Sequence, residues 1–492
     1  MPNLAAAHRE TKASMDPDLN RIPENIEHIH LIAACGSGMA ALASLLKDRG
    51  YRVSGSDQQV YPPMSTFLAE RGIPIAEGFD PHNVEDRPDL VVVGNAVVPS
   101  NPEAVHTAKL GLPYCSMPQA VNRFLARDKQ VCLSVGTHGK TTTASLLAWI
   151  LSAAGQDPSF FIGGILGNFN CNYRLGGGPA VVIEGDEYDT AFFDKEPKFL
   201  HYAPRYTMFT GVEFDHADIY RDLAHVKSAF AKFLQGMPAA GTLLVYDGCP
   251  VARELSRLSP ARVWAYGDRP DSHWRLGSTA IEPPRTRFEV YRSGKLWGEF
   301  TTDIPGRHNL FNMVAALAVA HDMGVSPETA ARALAAFRTT RRRQEVRGQV
   351  RGITVMDDFA HHPTAVRETI RGVAPFYPGG RVIAVFEPRT NTSMRTIFQP
   401  VYPQTLAQAD LVVIREPSRL DKIPADQRLS AAGLVDDIGK LGTPARYFAD
   451  TDGIIDFLVG EARSGDLILV MSNGGFDNIH QRLLERLGNG DL

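Results

Sequence analysis

The chain has 492 residues, a formal net charge of −4 and 44% hydrophobic residues, enough apolar material for several packed cores. A charge so close to balance argues against a general binder of nucleic acid or of membrane surfaces. The five cysteines are scattered and form no CxxC pair, so no disulfide framework or structural zinc site is expected and a cytoplasmic location fits best. The chain start lacks the apolar core of a signal peptide, and no apolar run approaches the roughly 20 residues of a membrane span.

The first predicted domain, residues 26–127, follows a polar tail at residues 1–25. EHIHLIAACGSGMAALASLLKDRGYRVSGSD reads as strand, Gly-rich turn, amphipathic helix and second strand, which is a βαβ pattern. The turn Cys35-Gly36-Ser37-Gly38-Met39, with Asp57 about 20 residues on, is typical of a dinucleotide fingerprint. Any diphosphate suits such a turn, so a UDP-sugar fits as well as NAD, and a plain tight turn is the alternative.

The second predicted domain, residues 128–344, opens with the strand KQVCLSV, followed by GTHGKTTT and a helix. Ser134 stands where the strict P-loop pattern has its first glycine, but the rest of the loop keeps the working parts. Lys140 would neutralise the β- and γ-phosphates, and the Thr141 hydroxyl would ligate Mg²⁺. The loop therefore predicts a site for a nucleoside triphosphate.

Acidic residues end two further strands of this domain: Glu184 in AVVIEGDEYD, and Asp215 with His216 in FTGVEFDHADIY. Carboxylates at strand ends beside a P-loop are where Mg²⁺ ligands are needed. A histidine next to an aspartate is more often a hydrogen-bonded structural pair, so the residues alone leave the role of His216 open. The arginine-rich FRTTRRRQEVRGQVRG that follows predicts a hinge or a solvated linker.

The third predicted domain, residues 345–492, repeats the α/β theme. GITVMDDFAHHP, GRVIAVFEPRTNT, ADLVVIREPSR and GDLILVMSNGGF each read as a buried strand that ends in a polar loop. Such strands usually lie parallel with helices on both faces, and ligands bind beyond their carboxyl ends. The predicted fold class is therefore α/β in three domains, with a Rossmann-like domain on each side of a central P-loop domain built on a parallel sheet.

Six motifs occur in the order and spacing of one known family: GTHGKTTT, EGDEYD, EFDHADIY, GRHNLFN, RRR and DDFAHHPT. From about His28 to the C-terminal helix the chain resembles the Mur ligases, the ATP-dependent amide-forming enzymes of peptidoglycan metabolism. The resemblance implies a UDP-sugar domain, a central ATPase domain, and a C-terminal domain that brings the amine and closes over ATP. ATP would phosphorylate a carboxylate, and an amine would then displace the phosphate.

The resemblance also implies residue roles. Lys140, Glu184 and His216 would be catalytic, and two Mg²⁺ ions would be held by Thr141, Glu184 and His216, which overturns the purely structural interpretation of His216. His308 and Asn309 would lie near the adenine, Arg342 or Arg343 would contact phosphate, Asp358 would meet the ribose, and His361 and His362 would belong to the closing loop. The full ATP set is Gly136, Thr137, His138, Gly139, Lys140, Thr141, Thr142, His308, Asn309, Arg342, Arg343, Asp358 and His362. The UDP-sugar set is Cys35, Gly36, Ser37, Gly38, Met39, Ser56, Asp57 and Asn95.

Several family members use a carbamylated lysine downstream of the Asp-His pair. Phe230 and Ala231 fall about where that lysine would be expected. We therefore expect none in this chain, and Lys227 is a poor candidate.

Within the family, GSGMAAL, the Asp-His pair and DDFAHHP resemble the branch that acts on UDP-N-acetylmuramate. VYPPMSTFL, FEPRTNTSMR and MSNGGFDNIHQRLL resemble the members that attach recycled murein tripeptide, L-alanyl-γ-D-glutamyl-meso-diaminopimelate. That donor carries several carboxylates, which arginine recognises in a bidentate manner. Arg389, Arg395 and Arg419 are the candidate peptide-binding residues, and an exposed surface arginine is the alternative for Arg419.

Other functions fit less of the chain. A UDP-N-acetylmuramate–L-alanine ligase is the runner-up, although it needs only a small amine pocket. An NAD-dependent dehydrogenase leaves the P-loop unexplained, and a P-loop switch or motor leaves the first turn and the third domain unexplained. The folate-polyglutamylating branch lacks a dedicated UDP-binding domain. The expected partners are UDP-N-acetylmuramate and the tripeptide, without nucleic acid or membrane, and the sequence does not indicate an oligomeric state.

Overall fold

The computed structural model describes residues 13–61, 64–417, 420 and 423–489. Three large β-sheets follow one another along the described residues, and helices cover them, so the predicted α/β fold class is confirmed. The sheets fall inside the three predicted segments, whose exact bounds stay predictions. Arg419 lies outside the described residues.

The first sheet is wholly parallel, with strand order β3-β2-β1-β4-β5. Its order reverses between β1 and β4, so the turn after β1 lies at a topological switch point, where open α/β sheets bind ligands. The strands are β1 (His28–Ile32), β2 (Arg52–Asp57), β3 (Ile75–Glu77), β4 (Leu90–Val93) and β5 (Tyr114–Ser116), and the helices are α1 (Ser37–Asp48), α2 (Met64–Glu70), α3 (Pro102–Leu110) and α4 (Met117–Val121).

The central sheet has ten strands, in the order β17-β16-β15-β14-β13-β12-β6-β9-β7-β8. It is parallel around the P-loop strand β6, as predicted, but antiparallel strands extend both edges, which the sequence analysis did not foresee. Its strands are β6 (Gln130–Val135), β7 (Ser159–Leu166), β8 (Cys171–Arg174), β9 (Ala180–Gly185), β12 (Tyr206–Phe209), β13 (Thr242–Tyr246), β14 (Arg262–Gly267), β15 (Trp274–Glu282), β16 (Arg285–Arg292) and β17 (Lys295–Thr302). A separate hairpin joins β10 (Asp189–Ala191) to β11 (Asp194–Pro197), and the helices are α5 (Lys140–Ala153), α6 (Leu223–Gln235), α7 (Pro250–Ser256), α8 (Arg307–Asp322) and α9 (Pro327–Ala335).

The third sheet has the order β18-β19-β23-β20-β21-β22 and is parallel except for its edge strand β18. Buried apolar side chains cover both of its faces, as in doubly wound sheets. The strands are β18 (Glu345–Val350), β19 (Ile353–Asp358), β20 (Val382–Phe386), β21 (Leu411–Arg415), β22 (Ala445–Phe448) and β23 (Leu467–Met471). The helices are α10 (Pro363–Val373), α11 (Tyr402–Leu406), α12 (Ala431–Lys440), α13 (Thr451–Glu461) and α14 (Ile479–Asn489).

Side-chain contacts join the three parts. The Tyr173 hydroxyl of the central part donates to Asp48 of the first at 2.7 Å, and one apolar core runs across both. The third part contacts the central one where the Ala217 N–H donates to Thr392 Oγ1 at 3.0 Å. Within the described ranges, none of the helices has the length and apolar character needed to cross a membrane.

Candidate active site

A cleft of about 1520 Å³ lies where the three parts meet. The first part contributes the turn after β1 together with Asn95, the central part contributes the P-loop, and the third part contributes the loop after β19. All three contributions come from loops beyond the carboxyl ends of parallel strands, where such sheets bind ligands. The lining includes Gly36, Ser37, Gly38, Met39, Asn95, Thr137, His138, Gly139, Lys140, Thr141, Thr142, Glu184, His216, His308, Asn309, Arg342, Arg343, Asp358 and His362.

The P-loop connects β6 to α5 and turns sharply at Gly139, whose φ is +79°. A Cβ at this position would lie 2.7 Å from Asn312 Oδ1, so both backbone conformation and space require glycine. Helix α5 begins at Lys140, which places the positive end of its dipole at the cleft. Ser134 is a buried residue of β6; the departure from the strict motif thus lies in the strand, before the turn.

Lys140 is folded back into an acidic site. Its Nζ lies 2.8 Å from Glu187 Oε2 and donates to the Gly136 carbonyl at 2.7 Å. Burial acts to lower the pKa of Lys140, but Glu187 and the nearby carboxylates of Asp186 and Glu184 hold it above its ordinary value. The ammonium therefore stays charged while no phosphate is near.

Thr141 and Glu184 present hard oxygen atoms to the cleft. The Thr141 hydroxyl donates to Glu184 Oε1 at 2.7 Å, and the Gly163 N–H donates to Oε2 at the same distance. Burial, reinforced by the neighbouring charge of Asp186, raises the pKa of Glu184. Asp186 is itself paired with a second lysine, Lys198, whose Nζ lies 3.2 Å from Asp186 Oδ2. The hard oxygen donors of Thr141 and Glu184 fit Mg²⁺.

His216 stands beside the same carboxylates. Its Nε2 lies 3.2 Å from Glu187 Oε1, and its ring packs against Tyr188. Burial acts to lower the pKa of His216, but Glu187 and Asp215 raise it overall. The backbone of His216 is left-handed, with φ +57°, and its N–H donates to Asp215 Oδ1 at 2.7 Å. A non-glycine residue held in this region marks a site where the surroundings enforce the conformation.

Glu187 is a site residue that the sequence analysis did not single out. Its side chain is only 3% exposed and bridges Lys140 and His216. Burial acts to raise its pKa, but the two cationic partners lower it overall. EGDEYD has four acidic residues, and its spacing gave no sign of which of them would turn inward.

The residues expected near adenine lie at the start of α8. The Asn309 amide donates to the Pro305 carbonyl at 2.7 Å and to Gln344 Oε1 at 3.1 Å, which ties the helix start to the hinge. Burial lowers the pKa of His308 to about 4, so the ring is neutral near pH 7. Its Nδ1 is buried without a hydrogen-bond partner among the described residues, and a ligand could supply that partner.

The two hinge arginines point in opposite directions. Arg343 Nη2 lies 3.5 Å from Thr141 Oγ1 in the P-loop. Arg342 has a left-handed backbone, φ +61°, and its Nη2 donates to the carbonyls of Ser472 and Gly474 at 2.6 and 2.7 Å. Of the two candidates for a phosphate contact, only Arg343 faces the P-loop in this arrangement.

Asp358 is nearly buried, and its carboxylate accepts the N–H groups of Gln344 and Ala360, both at 2.8 Å. Burial raises its pKa, although Arg343 opposes the shift. In this conformation Asp358 joins β19 to the hinge. Its contact with the ribose stays a prediction.

His362, His138 and Glu213 form a compact group across the domain boundary. His362 caps α10 by accepting the Thr364 N–H at 3.2 Å. His138 Nε2 lies 3.0 Å from Glu213 Oε2, and the two imidazole rings are 4.6 Å apart between centroids. Burial, together with the nearby His138, lowers the pKa of His362 to about 3. His361 lies close by, 3.7 Å from Asp215 Oδ2.

The first-domain residues divide into two groups. Gly36, Ser37, Gly38, Met39 and Asn95 line the cleft. Cys35, Ser56 and Asp57 do not line it: the Cys35 N–H donates to Asp57 Oδ2 at 2.8 Å, so the carboxylate closes the turn from behind. The fully buried Ser56 donates to Glu103 at 2.5 Å. The Ser56 side chain thus bonds to a residue of α3 and is not part of the cleft, where a UDP contact was expected.

The described peptide-binding candidates lie on the loop after β20. Arg389 Nη1 is 3.9 Å from Glu387 Oε2. Arg395 donates to the Asn391 carbonyl at 3.1 Å and to Gln427, so its guanidinium is largely used within the loop. Neither arginine belongs to the lining of the cleft.

Lys227 lies on α6 and pairs with Glu254 on α7, with Nζ 2.9 Å from both carboxylate oxygens. Phe230 is fully buried and Ala231 is partly buried. None of the three lines the cleft.

Comparison with protein-family models gives three matches along the chain. "Mur ligase family, catalytic domain" covers residues 28–129, "Mur ligase middle domain" covers 135–320, and "Mur ligase, glutamate ligase domain" covers 342–474. Together they span most of the chain.

Individual proteins give the same result. The chain is 40% identical to the UDP-N-acetylmuramate–L-alanyl-γ-D-glutamyl-meso-2,6-diaminoheptandioate ligase of Haemophilus influenzae over 94% of this chain and 99% of that protein. It is 34% identical to the UDP-N-acetylmuramate–L-alanine ligase of Pelotomaculum thermopropionicum, over 94% and 97%. The crystal structure of a murein peptide ligase from Psychrobacter arcticus superposes with a TM-score of 0.69 at 34% identity, covering 95% of this chain and all of that one.

Proposed function

Because this chain belongs to the Mur ligase family, whose members are ATP-dependent amide ligases that use Mg²⁺, we propose that it ligates a recycled murein peptide. It joins the lactoyl carboxylate of UDP-N-acetylmuramate to the amine of L-alanyl-γ-D-glutamyl-meso-diaminopimelate, giving ADP and phosphate. The observation that carries the proposal is the identity of 40% to a tripeptide ligase against 34% to an L-alanine ligase, each over nearly the full length. ATP and a UDP-sugar as substrates place the reaction in the bacterial cytoplasm.

The UDP-sugar binds at the turn after β1. Backbone N–H groups at the start of α1 and the positive end of the helix dipole suit a diphosphate, and Asn95 lines the same side of the cleft. The muramoyl end then extends toward the P-loop.

ATP lies with its phosphates on the P-loop. A lactoyl carboxylate oxygen attacks the γ-phosphorus, ADP leaves, and an acyl phosphate forms. Both reactants are anionic, so positive charge at Lys140, at Arg343 and at the start of α5 is stabilising as they approach. Lys140 is poised for this exchange, because phosphate oxygens can replace its contacts with Glu187 and the loop.

Thr141 and Glu184 would hold one Mg²⁺, which would supply further positive charge near the phosphates. We assign a second ion to the side formed by His216. Glu187 then attracts both Lys140 and His216 and offsets part of their positive charge while the phosphates are absent.

The amine arrives on the third domain. Its loop after β20 contacts the residues that follow His216, through Thr392 to Ala217 and through Asn391 to Asp218 at 3.1 Å. The amine nitrogen attacks the acyl carbon, phosphate leaves, and the amine loses a proton. Closure of this domain over ATP excludes water from the acyl phosphate.

Phosphate release with ATP, Mg²⁺ and UDP-N-acetylmuramate tests the proposal when the tripeptide is compared with L-alanine and the product mass is measured. Turnover with the tripeptide but not with L-alanine supports it. Turnover with L-alanine alone refutes it and assigns the protein to the runner-up reaction of de novo synthesis.

A further inference from the structure

Gly474 lies in the loop that follows β23, and the Arg389 side chain rests on it. An added Cβ at Gly474 would overlap the Nη1, Cζ and Cδ atoms of Arg389. The backbone conformation does not require glycine here, because the φ angle of Gly474 is not positive. The glycine is thus required by the arginine that packs against it.

The loop that carries Gly474 is fixed in place from the hinge. Arg342 donates to the carbonyls of Ser472 and Gly474, and the Gly474 N–H donates to Ser472 Oγ at 2.9 Å. A methyl group at position 474 is therefore relieved by displacement of the flexible Arg389 tip rather than of the loop.

On its other side Arg389 faces a wholly buried carboxylate, that of Glu387. Ser472 Oγ donates to Glu387 Oε2 at 2.5 Å, and Arg415 Nη1 donates to Oε1 at 2.8 Å. With its oxygens so occupied, Glu387 attracts Arg389 at 3.9 Å without accepting a hydrogen bond from it.

Among the described residues, the guanidinium of Arg389 donates no hydrogen bond, and its side chain is 26% exposed. This guanidinium is largely buried, is held by charge and packing, and has N–H donors without a partner among the described residues. Such a group suits a planar oxyanion. The loop that carries Arg389 also carries Thr392, which contacts the residue after His216. The guanidinium N–H groups of Arg389 therefore lie on the side of the site where the proposed amine substrate arrives.

We propose that Gly474 and Glu387 form a seat that orients Arg389 toward a carboxylate of the peptide donor, and that this seat selects carboxylate-bearing peptides. The inference rests on the proposed function and names the recognition element for its amine substrate. Gly474 and Glu387 are positioning residues, and Arg389 makes the contact.

Gly474→Ala tests the seat without removing any charge, and Gly475→Ala is its matched control. A Cβ at Gly475 meets nothing within 4 Å, and its φ of −73° suits alanine. Loss of a charge-assisted hydrogen bond to the peptide carboxylate should raise the KM for tripeptide by about 10-fold or more. We expect this increase for Gly474→Ala with kcat and the KM values for ATP and UDP-N-acetylmuramate unchanged, and no increase for Gly475→Ala.

A second comparison identifies the partner of Arg389. Arg389→Met should raise the tripeptide KM to a similar degree, and adding Gly474→Ala to Arg389→Met should change it little further, because both act through one contact. With L-alanyl-γ-D-glutamyl-L-lysine, which lacks one carboxylate, the gap between wild type and Gly474→Ala should shrink if that carboxylate is the one recognised.

The outcomes separate the two proposals. If the wild type does not turn over the tripeptide, the proposed function fails. If it does and Gly474→Ala matches Gly475→Ala, the seat is refuted while the function stands. A rise in the ATP KM equal to that in the tripeptide KM would assign Gly474 to the hinge and also refute the seat. If Gly474→Ala does not fold, Arg389→Met and Glu387→Gln still test it, since both must raise the tripeptide KM.

Discussion

Two buried carboxylates, one in the central sheet and one in the third, lie between cationic side chains at the carboxyl edges of their sheets. Glu187 bridges Lys140 and His216 beside the P-loop. Glu387 lies between Arg415 and Arg389 near the expected peptide side. Each carboxylate offsets part of the cost of burying the positive charges beside it while no substrate is bound.

The cations differ, and the difference separates two kinds of recognition. Lysine carries a compact charge on a flexible stem. Beside the metal ligands it can therefore stay close to a phosphoryl group while that group passes from ATP to the carboxylate. Arginine has a rigid planar fork that matches a carboxylate, which favours geometric selection of one donor. The Glu187 site should therefore govern rate, and the Glu387 site should govern affinity for the peptide.

The largest effect is expected at Lys140. Lys140→Met removes the phosphate-facing charge and leaves Glu187 buried without its main partner, so turnover should fall by about 10²–10³-fold, as measured by phosphate release. Lys227→Met is the control, because the Lys227–Glu254 pair is a partly exposed surface contact and should change turnover by less than about twofold. Retention of more than half of the activity by Lys140→Met would contradict the P-loop assignment.

Glu187→Gln tests whether the carboxylate that bridges Lys140 and His216 acts on rate. The amide keeps the volume but removes the charge that attracts Lys140 and His216 to this position, and we expect kcat to fall by about 10²-fold with the tripeptide KM unchanged. Titration with Mg²⁺ should also shift, because His216 loses one of its acidic neighbours and keeps Asp215. Glu254→Gln is the matched surface control. An unchanged kcat in Glu187→Gln would contradict the expectation that the Glu187 site governs rate while the Glu387 site governs affinity.

The sequence predicted much of the Glu187 site but little of the Glu387 site. GTHGKTTT is a contiguous motif, so Lys140 and Thr141 could be assigned before the fold was known. The Lys140–Glu187 contact depends on β6 lying next to β9, and the Arg415–Glu387 contact on β20 lying next to β21. Such pairings come from strand order, which local sequence patterns do not specify.

Two other features show the same limit. Arg341, Arg342 and Arg343 are consecutive and alike in sequence, but the left-handed backbone at Arg342 turns its side chain toward the third domain. The antiparallel strands β16 and β17 were missed, although Ser293-Gly294 between two alternating runs is a hairpin signal. The direction of the Arg342 side chain therefore had no signal in the sequence, whereas the β16–β17 hairpin had one.

Glu387→Gln is expected to act on affinity. Without the carboxylate charge, Arg389 loses its orienting partner, and the tripeptide KM should rise by about 10-fold while kcat changes by less than about twofold. Asp477→Asn is the control at the other, more exposed end of Arg415, where an ion pair contributes little. A fall in kcat without a change in KM would show that the two buried carboxylates serve the same step.

The smallest expected effect is a pH dependence of stability, and it arises from His308, the residue expected near the adenine. The pKa of His308 is lowered to about 4 by burial, against about 6.5 when unfolded, so the unfolded state binds more protons between these values. Stability should therefore fall as the pH drops from about 6.5 toward 4, by about 1 kcal/mol at pH 5.5 from this residue. His308→Gln removes that titration, so its melting temperature should decline less than that of the wild type between pH 7.5 and 5.5, by about 2–4 °C. If the difference in melting temperature between the two proteins stayed constant across this range, His308 would not be held neutral by burial. The expectation that the nucleotide supplies a hydrogen-bond partner for its Nδ1, which has none among the described residues, would then lose its support.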